Sequence, residues 1–321
     1  MADSHVSDPG LGEKYDKQTQ RIINPDGSFN IYRKGLGPAI RHLYQFFLNI
    51  SWAQFISILL VAYLVTNALF AFAYLAIGVE GIQGYRTHKF GSDFLTALFF
   101  SFQTFTTVGY GGLAPVGIGV NVIASFQALV GFMSFSIATG VLYGRFAKPS
   151  AIIMYSKNIL LCPFNDGYSL MFRAVNMRNN VLMEMEAKLL LATTKEINGE
   201  YRRTYARLKL DISAIDFFPL NWTLVHPIDS ESPFYGKSPT EIMKLNPEVL
   251  VLLKGFDDSF SQVVHSRFSY TKNDIVFNAK FKPAYTTYRD GSTHLNVKNI
   301  HHYEKLETRL QDFLEKQKNR T

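Results

Sequence analysis

Two long stretches of this chain carry no Asp, Glu, Lys or Arg: His42 to Val79, and Phe94 to Gly144. Within the first, "WAQFISILLVAYLVTNALFAFAYLAI" (52–77) exceeds the roughly 20 apolar residues that cross a bilayer. Trp52 sits where an interfacial anchor belongs. Thr66 and Asn67 are polar but uncharged and are expected to face another helix. A second span is expected near 119–143, stopped by Arg145 and Lys148. Soluble core helices of this length and apolarity are a poor alternative. Arg33, Lys34 and Arg41 precede the first span, Arg145, Lys148 and Lys157 follow the second, and Glu80, Arg86 and Lys89 between them nearly balance. The positive-inside rule therefore puts both termini in the cytoplasm.

Between the spans, Ser92 can cap a helix and Asp93 favours its positive end. "FLTALFFSFQT" (94–104) then makes a helix of ~16 Å, about half the hydrocarbon thickness. The chain must enter and return, so "TFTTVGYGG" (104–112) is irregular backbone at membrane depth. Such backbone is tolerated only where it is buried in protein or lines a wet cavity. Gly109 and Gly111, at alternate positions, permit left-handed dihedrals. The carbonyls of Thr107, Val108, Gly109 and Tyr110 can then point one way, with the Thr107 hydroxyl innermost, and replace the water shell of K⁺. The end of the short helix favours a cation there. TVGYG is the established filter loop of potassium channels, in which four copies surround one axis. One copy is present, so a homotetramer is expected.

Before the first span, "GLGPAIRHLYQFFLN" (35–49) places Ile40, Leu43, Tyr44, Phe47 and Leu48 at helical spacing, with Arg41, His42, Gln45 and Asn49 opposite. This is an interfacial amphipathic helix, or a cytoplasmic extension of the span. After Pro149 the pattern changes to short apolar runs broken by turn residues, which suggests a β-sandwich. That split explains a mean hydropathy of +0.01 in a 321-residue chain. The net charge of +7 without a dense Lys/Arg run points to a membrane flank, not nucleic acid. The single cysteine, Cys162, allows no internal disulfide. An acidic N-terminus with no early apolar run is not a secretory signal. No G-x-G-x-x-G follows a strand. His226, His265, His294 and the His301-His302 doublet lack partners in sequence, so they read as structural histidines, and no enzyme is expected.

Span, short helix, TVGYG and span, followed by "GRFAKP" (144–149), resemble the inward-rectifier potassium channels, particularly their prokaryotic branch. "INPDGSFN" (23–30) looks like that family's N-terminal strand, "WTLVHPIDSESPFYG" (222–236) like its cytoplasmic signature, and "EVLVLLKGFDDSFSQVVHSRFSY" (248–270) like the stretch carrying the flexible loop at the apex of its cytoplasmic pore. The resemblance implies a membrane α plus β fold: two transmembrane helices with a re-entrant pore helix and filter, plus a cytoplasmic immunoglobulin-like β-sandwich. It also implies the cell (inner) membrane. The expected boundaries are 1–37 for an N-terminal cytoplasmic segment, 38–50 for an interfacial slide helix and 51–148 for the pore domain. Within the pore domain, the outer helix is 51–78, the pore helix 92–104, the filter 107–111 and the inner helix 118–145. The sandwich is expected over 149–300 and a C-terminal helical tail over 301–321.

The resemblance also implies site residues. Thr107, Val108, Gly109, Tyr110 and Gly111 bind K⁺, the permeant ion and no cofactor, with Gln103 and Thr106 supporting them. Phe132, Phe135, Ser136, Thr139 and Tyr143 share a stripe of the second span and line the cavity. Tyr143 either stands where four helices converge and close the path by dewetting, or is an interfacial aromatic. Gly131 and Gly140 are either bending points or close-packing positions. Gly255–Phe260, "GFDDSF", is expected to form a second constriction through Gly255 and Phe256, with Asp257 or Asp258 attracting cations. Glu184 and Glu186 share one face of a β-run and are further cytoplasmic-pore candidates, or a solvated face. Arg41, Arg145 and Lys148 are candidate contacts to anionic lipid. Internal Mg²⁺ or polyamines are candidate blockers, although Phe135 stands where strong rectifiers carry an acid. Gln103 stands where the family usually has Glu. With Gly112, it motivates the alternative of a weakly selective cation channel on the same scaffold. A non-conducting membrane-tethered binding domain is the remaining alternative.

Overall fold

The structure, a computed structural model, describes residues 5–6, 8–15, 21–32, 34–35, 43–86, 91–148, 151–165, 167–197 and 200–307. It divides into two compact units, Lys34–Lys148 and Met1–Arg33 with Pro149–Thr321. Two short strands at the start, β1 (His5–Val6) and β2 (Lys14–Tyr15), belong to the second.

In the first unit, α1 (Leu43–Asn49) leads into α2 (Trp52–Ile77). A reciprocal cap starts α2: the Ser51 hydroxyl accepts from Gln54 N at 3.2 Å, and Gln54 Oε1 accepts from Ser51 N at 3.1 Å. Gly78, at φ 112°, ends it. A small ribbon of β3 (Ile82–Gln83) and β4 (Ala114–Pro115) brackets the short helix α3 (Asp93–Phe105). As the sequence suggests, Ser92 caps α3 by accepting from Leu95 N at 3.2 Å. The second long helix, α4 (Gly117–Phe146), is continuous. Both α2 and α4 are long and apolar enough to cross a membrane. Their observed ends lie within one or two residues of the expected ones, the ordinary fraying of helix ends. Ala71, Ala97 and Ala124 are buried where α2, α3 and α4 meet, with Tyr74 and Phe100 between them. Small residues allow this close approach of helices. The expected slide helix is α1 where described; residues 38–42 lie outside the described residues.

The second unit is a sandwich. Its strands are β5 (Ile153–Tyr155), β6 (Ile159–Phe164), β7 (Gly167–Asn176), β8 (Leu182–Ile197), β9 (Glu200–Leu208), β10 (Ala214–Phe217), β11 (Trp222–Pro227), β12 (Glu248–Asp257), β13 (Gln262–Thr271) and β14 (Ile275–Phe277). One sheet orders β1-β9-β8-β12-β13, with β10 on β8 and β2 on β9. The other orders β11-β7-β6-β14, with β5 on β7. Alternate residues point inward, so Leu170, Phe172 and Leu224 of one sheet meet Leu189, Leu191, Val249 and Val251 of the other. His226 follows the same alternation. Its buried ring bonds Lys209 O at 2.6 Å and Ser232 Oγ at 2.8 Å, and burial lowers its pKa. It is a satisfied structural histidine. A six-residue helix, α5 (Pro239–Lys244), precedes β12.

Two expectations are corrected here. Past the short 3-10 turn Val297–His301, the expected helical tail is not a helix where it is described. Tyr303–Lys305 pairs with Ala279–Phe281, so strand pairing continues past residue 300. The rest of the expected tail, 308–321, lies outside the described residues. "INPDGSFN" is a tight turn, not a strand, with one isolated bridge between Ile23 and Phe29. Pro25 has no N–H to pair, Asp26 Oδ1 accepts from Ser28 N at 2.9 Å, and Gly27 turns at φ +80°.

The segment is nonetheless held on the sandwich. Ile22 and Ile23 pack on Ala192, Tyr205 and Leu250. Ile22 N donates to Glu248 Oε1 at 2.7 Å, and the Ser269 hydroxyl donates to Ile23 O at 2.9 Å. The Arg21 guanidinium donates to Ser269 O and covers the Phe268 ring. Burial raises the pKa of Glu248, outweighing these hydrogen bonds and the nearby Arg203 charge. A raised folded pKa means that the stability linked to Glu248 is fully present below the ordinary carboxylate range. It is lost as pH rises through the folded value. Glu248→Gln is therefore expected to remove one rising-pH loss of stability, read as a thermal midpoint that falls less as pH rises above the ordinary carboxylate range.

Candidate conduction pathway

The loop after α3 folds back on the helix end. Thr107 N donates to Thr104 O and Val108 N to Gln103 O, each at 3.1 Å. The backbone is left-handed at alternate residues: φ is 58° at Thr107, 55° at Gly109 and 83° at Gly111. In an ordinary strand, successive carbonyls face opposite sides. Alternating handedness opposes that reversal, and the loop starts at the negative end of α3. The sequence suggests this freedom at the two glycines. Thr107 adopts it without that licence, at a cost of roughly 1–2 kcal/mol. Residues 107–111 are exposed in the single chain, Tyr110 to 81%.

The supporting residues act differently from expectation. Thr106 Oγ1 donates back to Phe102 O at 2.7 Å, within its own helix. Gln103 supports the loop through its backbone carbonyl. Its side-chain Oε1 is buried with no partner among the described residues.

On α4, Phe132, Phe135, Ser136, Thr139 and Tyr143 are all exposed in the single chain. Ser136 Oγ donates to Phe132 O at 2.9 Å. Phe132 and Phe135 line a cavity of about 510 Å³ with Leu59, Tyr63, Phe105 and Thr107. The two glycines separate in role. A Cβ on Gly131 would strike the backbone carbonyl oxygen of Phe105, whereas one on Gly140 meets nothing within 4 Å. Gly131 is a close-packing position.

Arg145 is reassigned. Its guanidinium donates to the carbonyls of Phe47 and Ile50 (2.8 Å for Ile50) and lies 4.6 Å from the Trp52 ring centroid and 4.8 Å from that of Phe55. A planar fork that also stacks is what these contacts require. The residue thus staples the end of α1 to α4. Arg145→Lys is expected to lower the thermal midpoint of the solubilised protein while leaving its lipid dependence unchanged. Charge-assisted bonds of this kind contribute about 1.5–3 kcal/mol each. Lys148 is exposed and donates to Asn49 Oδ1 at 2.7 Å. Arg41 lies outside the described residues.

In the sandwich, Glu184 is a non-glycine residue at φ 49°, in a bulge where Lys254 opposes Glu186 and Phe256 opposes Met183. A Cβ on Gly255 would meet the Met185 sulfur, so a larger residue there requires that side chain to move. Glu184 and Glu186 are both exposed. Glu186 has a counter-ion the sequence analysis missed, Lys254 Nζ at 3.6 Å. Cross-strand register, not spacing, brings them together. Of the two loop acids, Asp258 is exposed, but Asp257 is fully buried, with Oδ1 accepting from Ser259 N at 3.0 Å. Asp257 therefore shapes the hairpin tip and is not an exposed cation ligand. The flanking Phe256 is half-buried.

Two apolar helices, a half-length helix between them and a backbone-lined loop at its end define a membrane ion channel. Residues 58–148 match the ion channel family model, and residues 153–321 match the inward rectifier potassium channel C-terminal domain. The chain is 36% identical over 293 residues to the inward rectifier potassium channel Kirbac3.1 of Paramagnetospirillum magnetotacticum, covering 90% of this chain and 98% of that one. It is 25% identical over 298 residues to the human G protein-activated inward rectifier potassium channel 4, covering 84% of this chain and 70% of that one. The chain belongs to the inward-rectifier potassium channel family, a family of ion channels and not of enzymes. Its function is potassium-selective conduction of the inward-rectifier type.

Proposed function

We propose that four copies of this chain surround one axis and pass K⁺ through the backbone carbonyls of Thr107, Val108, Gly109 and Tyr110, with Gly111 closing the row. The observation that carries the reading is the left-handed backbone at Thr107, Gly109 and Gly111 in a loop left exposed by the single chain. One loop offers ligands from one side only, and a dehydrated cation needs them all round. The exposed stripe from Phe132 to Tyr143 supports the same assembly, with Tyr143 from four copies forming the hydrophobic gate. Both termini are cytoplasmic in the cell membrane, K⁺ is the permeant ion and no cofactor takes part.

The cytoplasmic sandwich controls the gate. Internal Mg²⁺ or polyamines act as weak blockers at most, because Glu186 is paired with Lys254 and Asp257 is buried. Anionic lipid acts through Arg41 and Lys148, each basic group contributing about 1 kcal/mol near the surface. The test is K⁺ and Na⁺ flux in liposomes of varied lipid composition, with Ba²⁺ as blocker. Ba²⁺-sensitive flux of K⁺ over Na⁺ supports the reading, and equal flux of both ions contradicts it.

A further inference from the structure

Behind the loop lies a group of polar side chains that the conduction pathway does not use. Asn67 and Tyr74 of α2, Ser101 of α3 and Gln127 of α4 are each 0% exposed. They form one connected set. Gln127 Nε2 donates to Ser101 Oγ at 2.6 Å and Ser101 O at 3.0 Å, and Gln127 Oε1 accepts from the Tyr74 hydroxyl at 2.6 Å. The Ser101 hydroxyl donates to Asn67 Oδ1 at 2.8 Å, and Asn67 Nδ2 returns to Tyr63 O at 2.8 Å within its own helix. An amide left unpaired at this depth costs several kcal/mol, so the set holds together or not at all. Satisfying every member at once restricts the relative placement of the three helices more than apolar packing alone does.

Its position gives it a further consequence. Ser101 lies two residues before Gln103, whose carbonyl receives Val108 N, and three before Thr104, whose carbonyl receives Thr107 N. The turn that Gln127 grips is therefore the turn from which the loop departs. One turn along the same face of α4, Gly131 rests on the carbonyl of Phe105. The inner helix is registered against the end of α3 at two successive turns. Gln103, the nearer candidate for filter support, leaves its side-chain oxygen unpartnered among the described residues.

We infer that Gln127 is a positioning residue for the selectivity filter. By holding Ser101 it sets the depth and rotation of the last turns of α3, and with them the position of the first carbonyls of the row. This rests on the reading of residues 107–111 as the filter. The two are separable, because that reading is tested by K⁺ selectivity of the unsubstituted channel.

The experiment measures the Na⁺-to-K⁺ flux ratio in liposomes for Gln127→Leu, Ser101→Ala and, as a control, Asn121→Leu. Asn121 is exposed on the same helix, and its closest bond, at 2.7 Å, stays within that helix, to Gly117 O. Q127L is expected to raise the ratio about tenfold, a loss of about 1.4 kcal/mol of discrimination. S101A is expected to raise it by a smaller factor, and N121L to leave it unchanged. An assembled Q127L channel with the unsubstituted ratio overturns the inference. If Q127L does not assemble, an unchanged ratio in assembled S101A overturns it. An equal rise in N121L also overturns it, because the effect would then not belong to the network.

Discussion

Gly109→Ala is expected to abolish selective K⁺ flux while leaving an assembled, folded protein. The argument is conformational, not steric. A Cβ on Gly109 meets nothing within 4 Å, so no clash expels it. The backbone there is at φ 55°, however, where an L side chain costs roughly 1–2 kcal/mol. In a fourfold assembly this amounts to about 4–8 kcal/mol concentrated on one ring of ligands. The inexpensive escape is rotation of the peptide plane. That turns a carbonyl away from the axis and an N–H toward it, replacing a cation ligand with a repulsive dipole. Uptake of Rb⁺ into K⁺-loaded liposomes is expected to fall to background, while gel filtration still reports the assembled channel. Undiminished, selective uptake would mean that the Gly109 conformation is not needed for conduction.

Gly131→Ala is the second large effect, and its cause is opposite. Here the backbone is helical and alanine is the better helix former by about 1 kcal/mol. The new methyl group would strike the Phe105 carbonyl oxygen and lie 3.0 Å from its carbon and 3.2 Å from its Cα. All three are backbone atoms at the end of α3, and none can rotate aside. Overpacking of this kind costs about 1–3 kcal/mol per site. Relief by separating α4 from α3 would also break the Gln127 contacts one turn away. A lower thermal midpoint of the assembled protein and reduced flux are expected. Gly140→Ala is the matched comparison. It adds the same methyl group to the same helix where nothing lies within 4 Å, and is expected to be neutral or slightly stabilising. Equal behaviour of the two variants would show that the Gly131 contact does not constrain the helices.

The parts of this fold that were legible in the sequence are those set by local chemistry. Charge-free length gives the spans, Ser92 the start of the short helix, alternate glycines the handedness of the loop, and alternating apolar runs the sandwich. What was not legible depends on residues distant in sequence meeting in space. Asn67 announces a polar contact, but its partner Ser101 is an ordinary serine until the two helices are placed together. Gln127 sits mid-span as a carboxamide, but Asn121, Ser125, Ser134, Ser136 and Thr139 share its helix, so its type alone did not single it out. Arg145 read as a lipid contact because flanking bases usually are. Only the position of the α1 carbonyls and of Trp52 shows what its fork engages. Glu186 and Lys254 are 68 residues apart and meet through strand register alone. Asp257 and Asp258 are neighbours with opposite fates, one buried at the last position of β12 and one exposed in the turn that follows. Thr107 exceeds what residue preferences allow: its left-handed φ is imposed by the loop.

The central claim is that backbone oxygens of four chains form the ion sites. It is tested most directly by anomalous diffraction from crystals of the full-length channel grown in Rb⁺ or Tl⁺. The account predicts a row of anomalous peaks on a fourfold axis, ringed by the carbonyls of Thr107, Val108, Gly109 and Tyr110. An assembled protein without axial peaks, or with peaks held by side chains away from this loop, would contradict it.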